Sequence, residues 1–238
     1  TVAVSTESGY KNPLGTVNEG WGEVFMGATM ESVLVGYNDP RLIKYYSKAE
    51  GGDIKDEKGN LIIAERNKIA GTYKGVPQGT GVTVKDENRY RLHSKITKQT
   101  DAILMTAAEV WFLRAEAALR GFTSENVKDC YEKGITVSCQ QWGVNVGDYL
   151  TSDATPSDYV DAFEAKYDVK ALIKVTPKWD GGASPEEQLE RILTQKWIAC
   201  YPEGYEAWTE QRRTGYPQLF KVFVNNSGGA IDTNIRIR

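Results

Sequence analysis

Apolar residues recur at helical spacing over most of this chain, and the period is lost in one long stretch of its first half. After a loop expected over residues 1–20, Met26, Met30, Val33, Leu34 and Tyr37 form a stripe that predicts a helix from about Trp21 to Val35. In "YNDPRLIKYY", Asp39 has the chemistry of an N-cap and Pro40 that of a first helical residue, so a short helix is expected to begin there. Residues 50–95 carry many glycines, a "KGN" turn and short apolar patches without a helical period, which predicts turns and short hairpins. A long irregular segment in a compact domain is usually functional or disordered. Tyr73, Val76, Val82 and Tyr90 supply apolar anchors that argue for order.

From Thr100 the helical period returns. "DAILMTAAEVWFLRAEAALRG" aligns Leu104, Ala107, Ala108, Trp111, Ala115, Ala118 and Leu119 on one face, and Gly121 is placed to close the helix. Met105, Phe112 and Leu113 widen the stripe, so this helix is expected to be buried nearly all round. A second helix near Glu125–Gln141 presents Val127, Tyr131, Gly134, Ile135, Ser138 and Trp142. Small residues at both stripe centres allow close approach, so the two form a helical hairpin. The pair is similar to one tetratricopeptide-type unit, with no second copy at the repeat period of about 34 residues. Residues 143–183 read as mixed, with a short helix after "ATPSDYVDAF". Ser184, Pro185 and Glu187 then spell a capping box, ahead of a stripe of Leu189, Ile192, Leu193, Trp197 and Cys200 that Pro202 ends. A last helix carries "EAWTEQRRTGYP" and stops at Gly215 and Pro217. The ending "IRIR" alternates like an unfinished strand.

The expected fold is therefore mainly α: helical hairpins over 100–238, joined to short helices and a loop-rich segment over 1–99, in a single domain spanning 1–238. A net charge of −3 gives no basic footprint for nucleic acid or an anionic membrane. No apolar run reaches the roughly 18–20 residues of a membrane helix. Cys130 and Cys139 lie nine apart on one predicted helix and face opposite ways, and with Cys200 they fit no zinc spacing. All three read as buried small hydrophobes.

Catalytic motifs are absent. His93 stands alone in "RYRLHSK", and no nucleophile elbow, phosphate loop or paired-histidine zinc motif occurs. The 32 acidic residues permit a glycosidase pair, which has no local spacing rule, without pointing to one. In the last helix Glu206 and Glu210 share a face, Glu210 lies three before Arg213, and Glu109 and Glu116 are candidate partners across helices. Together with Trp208 and Arg212 these residues read as a structural signature that locks helices, ahead of an anion site.

Five stretches in order, "NDPRL", "YKGVPQG", "ILMTAAEVWFLRAEAALRG", "YEKGITVS" and "ILTQKWIACYPEGYEAWTEQRRTGYPQLF", resemble landmarks of the SusD/RagB family, specifically its SusD-like 2 branch. They run from about Asn38 to Phe220. The resemblance implies a superhelix of tetratricopeptide-like hairpins carrying an irregular, ligand-bearing portion. It implies a non-catalytic outer-membrane lipoprotein of Bacteroidetes that captures glycans or other small nutrients over a SusC-like TonB-dependent transporter. Members run to about twice this length, so the chain is expected to be a C-terminal-half fragment of a lipid-anchored parent. The resemblance supplies no residue-level binding motif.

Sugars dock their C–H faces on aromatic rings while amides and carboxylates take the hydroxyls. Loop aromatics are the better candidates, because stripe aromatics belong to the core. Trp21, Tyr73, Tyr90, Trp142, Tyr149 and Trp179 qualify, and Tyr73, Trp142 and Trp179 stand beside glycines or polar residues. No cofactor or metal site is expected. Ca²⁺ is possible at the acidic loops Asp53–Asp56 and Asp153–Asp158, but no motif indicates it. Two other readings are a helical-repeat scaffold for a protein or peptide and a glycoside hydrolase.

Overall fold

Thr106 marks where extended chain becomes helix. The computed structural model describes residues 1–22, 24–50, 54–55, 58–63, 69–80, 94–98, 101–228 and 230. In it "AILM" is a strand, β4 (Ala102–Met105), paired antiparallel with β1 (Val2–Val4). The helical reading of this stretch is corrected. Leu104 is 62% exposed, and Thr106, whose Oγ1 accepts from the Glu109 amide at 3.0 Å, starts the helix instead.

That helix, α4 (Ala107–Leu119), turns back through Gly121, held at φ +76°, into α5 (Val127–Gln141), capped by Asn126. The two pack as the expected hairpin. Gly134 makes the approach possible, since a Cβ there would lie 2.8 Å from the Phe112 ring. Burial of α4 all round is not observed: Ala108, Phe112 and Ala115 face inward, while Val110 and Leu113 are exposed. α6 (Pro185–Ala199) lies against α4 and α5, and its capping box forms between Ser184 and Glu187 as expected. α7 (Gly204–Thr214) follows and ends at Gly215 in a left-handed cap.

The first part of the chain folds onto this helical frame. Residues 1–20 are not all loop. Asn12 caps, and Pro13 opens, α1 (Pro13–Trp21), whose Leu14 and Val17 are exposed and so leave no stripe to read. The stripe helix starts later than expected, as α2 (Ala28–Gly36), because Phe25 and Gly27 pair with Lys95 and Val76 as extended bridges. α3 (Leu42–Tyr45) begins two residues after Pro40, behind a turn in which Asp39 accepts from the Arg41 amide. A small hairpin joins β2 (Ile54–Lys55) to β3 (Leu61–Ile63). The short helix expected after "ATPSDYVDAF" is a single 3-10 turn at Ala165–Tyr167, around which Tyr159 pairs antiparallel with Val169.

Among the described residues the structure is thus mainly helical, with seven α-helices and two small strand pairs. Its main core joins Met26, Val33 and Leu34 of the first part to Phe112, Ile135, Ile192 and Ile198 of the frame. Buried tyrosines stitch the two together by donating to distant carbonyls: Tyr37 to Val175 at 2.7 Å, Tyr45 to Ile198 at 3.0 Å, Tyr201 to Tyr45 at 2.8 Å. Each ring contributes burial while its hydroxyl stays satisfied. Cys130, Cys139 and Cys200 are buried free thiols. Val82, Tyr90, His93 and the "IRIR" ending lie outside the described residues.

Candidate ligand-binding groove

Arg41 is wholly buried and organises the turn that forms one wall of the site. Its Nη2 and Nε donate to the two carboxylate oxygens of Asp39 at 2.6 and 2.9 Å. Nη1 donates to Ser138 Oγ on α5 at 3.0 Å, and Nη2 also to Gln195 Oε1 on α6 at 2.9 Å. Gln195 in turn donates to the Tyr149 hydroxyl at 2.8 Å. A planar guanidinium can serve this many acceptors at once, which an ammonium cannot. The network fixes residues 38–44 against the helical frame.

The opposite wall is held from α2. The half-buried Lys74 pairs with Glu31 at 2.7 Å, and the Gly75 amide donates to the same carboxylate at 2.6 Å. Burial pushes the Glu31 carboxyl up, opposed by Lys74 and that amide. A Cβ on Gly75 would lie 2.7 Å from the Gly27 carbonyl oxygen, so only glycine permits this approach. Tyr73 stands immediately before the locked pair.

Between these walls runs a groove of about 810 Å³, lined by residues of the 35–44 segment, Thr72 and Tyr73, and the 143–145 loop after α5. Tyr73 offers a half-buried ring, with the Lys48 ammonium 5.9 Å from its centroid. Asn38 and Asn145 add exposed side-chain amides and Thr72 a hydroxyl. Asn38 adopts φ +52°, a conformation asparagine tolerates better than most residues.

The three favoured aromatics do not meet. Tyr73 lines the groove, and Gly143 next to Trp142 does too, but the Trp142 ring packs on Tyr45 and Tyr201 at centroid distances of 4.9 and 5.6 Å. Trp142 Nε1 is buried without a hydrogen-bond partner among the described residues. Trp179 packs on Tyr131 at 5.2 Å, against the main core. Tyr149 is buried in the Arg41 network. Sequence reasoning did not single out Asn38, Arg41, Lys44, Thr72 or Asn145. The Asn-Asp-Pro turn and the asparagines flanking a helix end were the available signals, but nothing local says that they converge.

The residues of "EAWTEQRRTGYP" do other work. Arg213 donates to Glu116 on α4 at 2.8 and 2.6 Å and to Glu210 at 2.7 Å, and Arg120 joins Glu116 at 2.8 Å. Lys196 on α6, 1% exposed, holds Glu206 at 2.8 Å and Glu210 at 3.1 Å. The Arg212 guanidinium lies 4.5 Å from the centroid of the half-exposed Trp208 ring. Burial opposes ionisation of Glu116, but the hydrogen bonds from Arg213 and Arg120 outweigh it and lower its carboxyl below the ordinary value. Glu109 goes the other way. Burial raises it, Lys196 opposes, and the neighbouring Glu206 raises it further, by charge and by sharing a hydrogen bond.

A carboxyl raised on folding binds more protons folded than unfolded, so its contribution to stability falls as pH rises above the ordinary value of 4.5. Replacing Glu109 with Gln should therefore flatten the decline in stability between about pH 5 and 8. The melting temperature should match or exceed that of the parent at the upper end. Thermal melts across that range check this; a Gln variant that loses more stability at pH 8 than at pH 5 would contradict it.

Metal binding has no support among the described residues, where no group of three His, Cys, Asp or Glu side chains is arranged to hold an ion. Asp153 and Asp158 are engaged by Lys178 at 3.1 Å and Lys170 at 2.6 Å, while Asp53 and Asp56 lie outside the described residues.

The model of the SusD-like family, described as "Susd and RagB outer membrane lipoprotein", matches residues 1–238. The chain belongs to the SusD-like family. A SusD homolog from Bacteroides vulgatus is 50% identical with a TM-score of 0.85, over 100% of this chain and 46% of that one. A chitin-binding SusD homolog from Flavobacterium johnsoniae is 37% identical with a TM-score of 0.83, over 96% and 45%. A SusD homolog from Bacteroides thetaiotaomicron is 36% identical with a TM-score of 0.77, over 91% and 43%. Comparison with curated proteins finds no match. This SusD-like chain thus spans less than half the length of these solved relatives. Among its described residues no helix is long and apolar enough to cross a membrane.

Proposed function

We propose that this SusD-like chain is the glycan-holding part of a lipid-anchored outer-membrane protein. The parent would capture glycans at the cell surface and pass them, without hydrolysis, to a SusC-like TonB-dependent transporter. The observation that carries the reading is the groove: one accessible tyrosine ring beside amides and a hydroxyl, in a chain 37% identical to a chitin-binding protein. A sugar can lay its apolar face on Tyr73 while Asn38, Thr72 and Asn145 take its hydroxyls. Trp142 and Trp179, packed where they are, would support the neighbouring loops.

The groove lining carries one carboxylate, Asp39, and Arg41 occupies it. Glycoside hydrolysis uses two carboxyls about 5–9.5 Å apart, which this lining does not supply. A peptide would favour a continuous helix-lined channel. Turn and loop residues supply much of this lining.

The test is titration of the purified chain with a panel of oligosaccharides, with reducing-end release monitored on each ligand bound. Binding without release is expected, and release would overturn the reading. Tyr73→Ala should weaken binding about tenfold, the equivalent of about 1.4 kcal/mol. Asn145→Ala, at an exposed position, should weaken it less without changing the fold. Affinity unchanged in both variants would remove the groove from consideration.

A further inference from the structure

The charges around the groove do not match those of the chain as a whole. The protein is formally −3, yet the one carboxylate of the groove lining is neutralised by a buried arginine. Lys44 lines the groove and is exposed, and Lys48 reaches over the Tyr73 ring. Neither ammonium is paired with a carboxylate of any described residue, whereas lysines elsewhere commonly are, as in Lys95–Glu50, Lys98–Glu19 and Lys178–Asp153. The nearby Glu50 is thus taken by Lys95. Two cations without a carboxylate partner among the described residues therefore stand at this groove, one of them over the Tyr73 ring.

We propose that this groove selects acidic glycans, whose sugar rings carry a carboxylate or a sulfate ester. The inference rests on the groove being the glycan site. A sugar on Tyr73 presents its substituents to the Lys48 ammonium, 5.9 Å from the ring centroid, or to Lys44 along the wall. Asn38, Thr72 and Asn145 remain for neutral hydroxyls. Exposed ammonium groups keep most of their hydration, so each adds little on its own. They give selectivity mainly as a pair, and that selectivity is sensitive to salt.

The experiment titrates the whole chain with an oligogalacturonate, a chondroitin sulfate oligosaccharide and a neutral chitin oligosaccharide of equal length. Each is run at about 50 and about 300 mM salt. At low salt at least one acidic ligand should bind about tenfold tighter than the neutral one, and the gap should close at high salt. Comparing the two acidic ligands separates carboxylate from sulfate. Lys44→Gln with Lys48→Gln should bring acidic affinity down to the neutral level and leave the melting temperature unchanged. Acidic binding that survives the double replacement overturns the proposal. So does neutral binding as tight as acidic; if that binding is lost in Tyr73→Ala, the groove stands and only its charge preference falls. Acidic binding unaffected by Tyr73→Ala overturns both.

Discussion

Replacing Arg41 with alanine is expected to destabilise the chain by about 3–5 kcal/mol, the largest effect of any single change considered. The guanidinium is fully buried, and its removal strands the Asp39 carboxylate and leaves Ser138 and Gln195 without their donor. A charge stranded in the interior costs far more than the net worth of the pair that held it, because the attraction is lost while the desolvation remains. The stacking of Arg41 on the Tyr149 ring, at 5.6 Å, goes as well. Arg41→Lys should recover only part of the loss, since an ammonium cannot span carboxylate, hydroxyl and amide together. Replacing Asp39 and Arg41 together by uncharged residues should cost less than Arg41→Ala alone. Urea denaturation of the three variants checks the order, and an Arg41→Ala cost below about 1 kcal/mol would show that the network is incidental. Since the same turn forms a groove wall, ligand affinity should fall with stability in Arg41→Ala and return with it in the lysine variant.

Gly36→Ala should be the second most damaging change, at about 2–4 kcal/mol. Gly36 ends α2 where the chain at Pro156 and Ser157 crosses it. A Cβ there would lie 2.2 Å from the Ser157 nitrogen and 2.5 Å from the Pro156 Cα. These are backbone atoms, so no rotamer change relieves the clash. The crossing is also pinned, with the Ser157 amide donating to the Ser32 carbonyl at 2.9 Å and the Ser32 hydroxyl to the Ser157 carbonyl at 2.5 Å. Moving the crossing chain would break both. Gly20→Ala is the matching control: it lies in α1 with nothing within 4 Å of an added methyl, so alanine should gain about 0.5–1 kcal/mol from helix propensity. Paired melts of the two variants should move in opposite directions; parallel shifts would mean that close approach is not the cause.

The elements legible in the sequence are those whose instructions are local. Ser184, Pro185 and Glu187 announce the start of α6 within four residues, and Gly121 announces the turn between α4 and α5. Strand β4 was not legible, because "AILM" runs straight into a helical stripe and is extended only through pairing with residues 2–4, about a hundred positions away. Helix α1 escaped notice because it has a good cap and almost no buried face. The groove is the extreme case. Asn38, Tyr73 and Asn145 meet only through Arg41 and Glu31, and apart from Asp39 the partners of those two lie between 43 and 154 residues away. Loop position alone also ranks Tyr73, Trp142 and Trp179 as equals, since ring packing against Tyr45, Tyr201 or Tyr131 is decided by elements distant in the chain.

The tyrosine stitching sets a timetable for the growing chain. Tyr201 donates to the Tyr45 carbonyl across 156 residues, and Tyr45 donates to Ile198 across 153. At a synthesis rate of about 5–20 residues per second, Tyr45 emerges roughly 8–30 s before its partner. Through most of that interval the core around Met26, Val33, Leu34 and Tyr45 lacks Ile192 and Ile198 of α6. The α4–α5 hairpin, made of near neighbours in the chain, can form without waiting.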